Sequence, residues 1–165
     1  MPEKRTRRRA PKASRPQIPG YGLPKSRKGL LSWSWAEQRL KQSHNYWIST
    51  ARPDGTPHTM IVWGLWLEGR FYFSTGQKSR KARNLAANPK CVICSERAEQ
   101  AVVVEGLAEF VSDRTIRTQF GDLYQKKYNW DMKDFSEPIY EVRPLVAFGL
   151  FEKKFMASAT RWTFE

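Results

Sequence analysis

Histidine and cysteine are almost missing from this 165-residue chain, which has two of each. With only His44 and His58 available, a Ser–His–acid triad has little to draw on. Cys91 and Cys94 form a lone C-x-x-C in KCVICSE. A zinc site wants a second cysteine pair or clustered histidines, so no metal site is expected. Residues three apart on a strand face opposite sides, so these thiols should diverge and pack as small hydrophobes. Reduced cysteines point to the cytoplasm. Acidic residues are outnumbered, 16 against 29 Lys and Arg, and no close carboxylate pair suggests glycoside chemistry. No apolar run approaches the roughly 18–20 residues of a membrane helix, so no membrane role is expected. Arg7-Arg8-Arg9 has no apolar stretch behind it and does not read as a secretory signal. G-x-S-x-G, H-E-x-x-H, a Walker loop and G-x-G-x-x-G are all absent. No catalytic side chain is singled out, and any catalysis falls to a cofactor.

What the chain does have is positive charge, +13 overall with a pI near 10.0. Its distribution matters more than its size. Residues 1–30 carry ten cations against Glu3 alone, a net +9 that leaves only +4 for the rest. They also hold half of the ten prolines. Such composition buries too little apolar surface to offset ordering entropy, so 1–30 reads as a flexible basic arm and 31–165 as one domain. The stretch Pro16–Pro24 is the piece with side chains to lie along that domain. Nucleic-acid binding is not expected of the mildly basic body, and the arm is the sole candidate for it.

Strands and turns dominate the body. Ser34-Trp35-Ala36-Glu37 is a capping-box pattern opening a helix to about Ser43, with Ala36 and Leu40 on its inner face. Tyr46–Thr50 reads as a strand, and Arg52-Pro53-Asp54-Gly55 supplies hairpin turn chemistry. The return strand is expected from Pro57 to Leu67, and Glu68-Gly69 turns the chain into a third, meander-ordered strand over 70–75. Lys90–Ser95, Ala101–Val111 and Tyr140–Phe151 complete six strands, with Gly106 marking a bulge or close approach. Asp113 caps a helix with Ile116, Phe120 and Leu123 at helical spacing, whereas 124–137 is polar and ambiguous. These elements predict an α+β, mainly β fold: an antiparallel closed or split barrel with short flanking helices.

One stretch reads as chemistry. In FYFSTGQKSRKARNLAANP, residues 71–89, an aromatic strand turns through Gly76 into a helix with Ser79 at its N-cap and Asn88-Pro89 at its end. Lys78, Arg80 and Lys81 crowd a helix start whose dipole already favours an anion. Ser74, Thr75 and Ser79 add hydroxyls. Two readings stay open on physical grounds, a solvated basic first turn and an anion seat. Trp47, Trp63 and Trp66 likewise suit either the wall of a flat pocket or ordinary core packing.

The series R-P-D-G-x-P-H, V-W-G-x-W, F-Y-F-S-T-G-x-x-S-R-K-A-R-N-L-A-x-N-P and V-V-V-E-G, with A-T-R-W-x-F at the end, resembles the pyridoxamine 5′-phosphate oxidase-like flavin-binding split-barrel family. The resemblance runs from about Trp33 to Glu165. It implies a six-stranded split barrel and a homodimer with FMN in a cleft between subunits. Met60, Ile61, Val62 and Trp63 would face the flavin ring, with His58 as a nearby donor. Ser74 and Thr75 would contact the ribityl–phosphate region. Lys78, Ser79, Arg80 and Lys81 would seat the phosphate, and Arg161 with Trp162 would reach a cofactor across the dimer. The implied activity is an oxidoreductase acting on a small molecule. HTMIVWGLW lacks the arginine and lysine of the vitamin-salvage enzymes, and no histidine follows His58, which argues against that activity. A branch of the same family uses a deazaflavin coenzyme, so a deazaflavin-dependent reductase is one alternative, and a non-catalytic flavin-binding module is the other.

Overall fold

The computed structural model describes residues 9–165. Along the chain the elements are β1 (Lys12–Ser14), α1 (Trp33–Gln42), β2 (Tyr46–Ala51), β3 (Pro57–Val62), β4 (Gly64–Leu67), β5 (Arg70–Ser74), α2 (Arg80–Ala87), β6 (Lys90–Ser95), β7 (Gln100–Phe110), α3 (Arg114–Tyr128), β8 (Ile139–Phe151), α4 (Phe155–Ser158) and β9 (Thr160–Thr163).

Turn chemistry sets the first half. At Arg52–Gly55 the Asp54 carboxylate accepts from the Thr56 N–H at 2.9 Å, and Gly55 takes φ +86°. At Glu68-Gly69 both residues have positive φ, the requirement of a hairpin turn that matches strand twist. The expected single strand from 57 to 67 is instead broken at Trp63. β3 pairs with β2, and β4 pairs with β5, so the meander becomes two separate hairpins. The cause lies in α3. Tyr128 Oη contacts both the N–H and the carbonyl of Gly64, at 2.9 and 2.8 Å, and Lys127 Nζ donates to that carbonyl at 3.0 Å.

The long strand β8 joins everything. β7 runs along one edge, while β5 and β9 share the other. The main path is β1-β9-β8-β7-β6-β2-β3, with β5 and β4 branching from β8. All pairings are antiparallel. β3 and β4 end different branches without pairing, so the sheet is a barrel left split. The six expected strands are all there, with one divided and β1 and β9 added. Register slips between Glu105 and Gly106, and a Cβ on Gly106 would lie 2.5 Å from the Arg143 carbonyl oxygen, so the bulge brings two backbones together.

The barrel interior holds Tyr46, Ile48, Phe71, Phe73, Ile93, Val102, Val104 and Val142, all fully buried. Leu65, Tyr72 and Ile139 face the other way, where Phe120 of α3 covers them. Ala36 and Leu40 are buried as their spacing predicts, but α1 starts earlier than the capping box suggests. Ser32 is the N-cap, accepting from Trp35 N–H, while Glu37 accepts from the Trp66 indole at 3.1 Å. Cys91 is buried and Cys94 lies on the opposite face of β6.

The arm departs from expectation within the described residues. Lys12–Ser14 pairs with β9. Arg15 then donates to four carbonyl oxygens, those of Ser26, Lys28, Ala157 and Ala159. One guanidinium thus replaces the apolar contacts that composition lacks. Residues 1–8, the rest of the predicted flexible arm, lie outside the described residues.

Candidate functional site

The β3–β4 break and the β5–α2 corner open onto one cleft of about 330 Å³. Ile61, Val62, Trp63, Ser74, Thr75, Lys81 and Tyr124 line it. Six of the seven are residues the sequence singles out, drawn together from β3 and the break after it, from the end of β5 with Thr75 beyond it, and from α2.

The corner is built from hydroxyls. Ser79 Oγ caps α2 by accepting from Ala82 N–H at 3.2 Å, and Thr75 Oγ1 lies 3.1 Å from Ser79 Oγ. The N–H groups of Arg80 and Lys81 belong to the first helical turn, which has no intrahelical acceptors to offer them. Ser74 Oγ donates to the Pro138 carbonyl at 2.6 Å, so its proton is committed within the protein. Lys81 is half-buried, and burial pulls its ammonium below the usual lysine value. Among the described residues no carboxylate pairs with it. A desolvated cation beside free N–H groups and hydroxyls fits the phosphate of a phosphorylated ring cofactor. Glu137 borders the turn, accepting from Gln77 N–H at 2.9 Å, which fixes the loop before Ser79.

The other side of the cleft is aromatic. Trp63 stacks on Tyr128 with centroids 4.6 Å apart and planes within 5°, and its indole N–H donates to Asn45 Oδ1 at 3.1 Å. Tyr124 packs 6.2 Å from Trp63 and 4.8 Å from Tyr128. Sequence reasoning missed Tyr124 because 124–137 reads as polar. The signal was there, since Tyr124 continues the stripe of Phe120 at i+4.

The remaining candidates lie elsewhere. Arg80 is half-buried at the start of α2 and Lys78 is exposed in the turn before it. His58 and Met60 share β3 with the lining residues but do not line the cleft. Of the three tryptophans, Trp63 alone reaches it, while Trp66 is core and Trp47 is 44% exposed on the outer sheet face. Arg161 sits on that outer face and donates to Thr163 Oγ1 at 2.8 Å. Trp162 is fully buried, 5.3 Å from the ring of Trp33, so its side chain has no surface to give a cofactor. Strand alternation separates it from Arg161.

Comparison with known proteins follows this geometry. Solved structures with the same fold include a conserved hypothetical protein from Mycobacterium tuberculosis (21% identity, TM-score 0.67, covering 75% of this chain and 87% of that one). They also include General Stress Protein 26 from Bacillus anthracis (20%, 0.60, 70% and 91%) and an F420 reductase (26%, 0.56, 67% and 94%). No curated protein matches the chain. The pyridoxamine 5′-phosphate oxidase family matches over residues 35–156, which takes in β2 through β8, every residue that lines the cleft and the helix that breaks the strand at Trp63. On that match, the chain belongs to the pyridoxamine 5′-phosphate oxidase family.

Proposed function

We propose that the protein is a flavin-dependent oxidoreductase that holds FMN in this cleft and acts on a small molecule. The observation that carries this reading is the meeting of Ser74, Thr75 and Lys81 with Ile61–Trp63 in one cavity at the N-terminus of α2. Bound FMN would supply hydride and electron transfer, which nothing else in the chain offers. Lys81, the Ser79-capped helix start and Thr75 hold the phosphate, with Arg80 adding charge from the rim. Ile61, Val62 and Trp63 position the ring and exclude water. Titration of the purified protein with FMN tests the reading directly. FMN should bind with its absorption perturbed, and Arg80→Ala/Lys81→Ala together should weaken it at least tenfold. Unchanged affinity in the double variant would overturn it.

A second copy of the chain completes the proposal. On the outer sheet face Ile61 lies opposite Trp47, Trp47 opposite Cys94, Cys94 opposite Val103 and Val103 opposite Phe148. Ile61 is 51% exposed at one end of this apolar row and Arg161 ends the other. A homodimer covering the row would bury it, close the cleft on its open side and bring Arg161 to the interface. The cytoplasm is the compartment proposed, from the free thiols.

The F420 reductase among the matching structures favours one alternative, a deazaflavin coenzyme. Parallel titrations separate the two: tight binding of the deazaflavin and none of FMN would select it.

A further inference from the structure

Away from the cleft, the N-terminal strap lies against the β8–β9 connection, and the two together gather charge of one sign. The Tyr21 ring is 6.1 Å from that of Phe155, and a Cβ on Gly22 or Gly29 would touch Met156 or Ala157. Arg15 joins the carbonyls of Ser26 and Lys28 to those of Ala157 and Ala159, so its own charge is spent internally. The side chains of Lys25, Arg27, Lys28, Lys153 and Lys154 are exposed instead, and none pairs with a carboxylate of the described residues. The acids of residues 9–31 and 152–165 are Glu152 and Glu165, and Glu165 faces Arg9 at 3.8 Å. Cations held together without counter-charges favour a polyanion. Tyr21, in the same strap, is 59% exposed and adds a stacking surface. Basic side chains around an exposed ring suit a single nucleic-acid strand, whose bases have free faces. A membrane fits less well. In these segments the exposed large hydrophobics are Tyr21 and Met156, and α4 has only four residues, so no apolar helix face is there to insert. The patch belongs to the strap and the β8–β9 connection, not to the apolar row that the proposed dimer covers.

We propose that this surface binds single-stranded nucleic acid, with Lys25, Arg27, Lys28, Lys153 and Lys154 on its phosphates and Tyr21 stacked on a base. No residue of the patch lines the cleft, so the inference stands apart from the flavin reading.

Fluorescence anisotropy of a labelled oligothymidylate, titrated with the full chain over a range of salt, tests the assignment. Binding should be salt-dependent and tighter than to a duplex of equal length. Lys25→Ala/Arg27→Ala/Lys28→Ala removes only exposed side chains. It should flatten the slope of log affinity against log salt by about 2, at roughly 0.7 for each lost phosphate contact. Tyr21→Ala should weaken binding roughly fivefold or more and leave that slope unchanged. No binding, a preference for the duplex, or wild-type behaviour of either variant would overturn the proposal. Tighter binding to phosphatidylserine vesicles than to the oligonucleotide would overturn it in favour of a membrane. FMN affinity should be the same in wild type and both variants, so failure here leaves the flavin reading standing.

Discussion

Gly64 shows how a single residue fixes the cleft. Its backbone is gripped by Tyr128 and Lys127, and a Cβ there would fall on the Phe71 ring and 2.7 Å from the Tyr72 carbonyl oxygen. The first of those atoms belongs to a fully buried ring and the second to backbone, so neither can yield cheaply. Gly64→Ala should cost about 1–3 kcal/mol, the usual scale of overpacking. Urea denaturation would measure it, and a cost under a few tenths would mean the strand break is not sterically enforced. Residue by residue, the sequence was most informative where chemistry is local. Ser79 and Asp113 cap helices as their types suggest. Trp162 was not legible in this way, because only the alternation of β9 against its neighbours sends it inward.

At the scale of elements, the contact of α3 with the β3–β4 break is the joint that positions Trp63 and Tyr124. Lys127 lies at its centre. Its Nζ donates to Tyr46 Oη at 2.8 Å and lies 4.8 Å from the Tyr46 ring centroid and 5.2 Å from that of Tyr128. Burial pulls its pKa down to about 8, against a weaker opposing pull from Glu96. Between pH 8 and the usual lysine value of 10.5 the unfolded chain therefore binds more protons at this position than the folded one. Its contribution to stability rises with pH across that window, and below pH 8 the cost of burying the charge is fully present. Tyr46 keeps its bond to the Leu40 carbonyl and Gly64 keeps Tyr128 when the amine is removed. Lys127→Met should thus fold, and wild type should gain on the variant as pH goes from 8 to 10.5. Thermal melts of both proteins across the range check this, and a constant difference would show that Lys127 is not desolvated.

For the whole molecule, the proposed dimer turns on the apolar row from Ile61 to Phe148, of which Ile61 and Trp47 are exposed in a lone chain. A charge beside its exposed Ile61 end should prevent a second copy from docking while sparing the interior, since Trp47 points outward. Trp47→Asp should shift the protein from dimer to monomer in analytical ultracentrifugation with little change in far-ultraviolet circular dichroism. A dimer that survives it would place the interface elsewhere. The N-terminal strap belongs to this scale as well, because Arg15 ties segments 142 and 144 residues apart in the chain.

The places of six strands along the chain, the turns at Gly55 and Gly69 and the hydroxyl-and-cation corner at Ser79 were all determined by the sequence itself. Each depends on neighbours within a few residues, where propensity and capping act. The break at Trp63, the ordering of Lys12–Ser14 and the presence of Tyr124 in the cleft were decided only by tertiary structure. In each case the deciding partner is far along the chain: α3 for Gly64, β9 for the strap, and β3 with β5 for Tyr124. The i+4 spacing from Phe120 shows which face of α3 carries Tyr124, but not what that face meets, and the cleft exists because these long-range contacts converge.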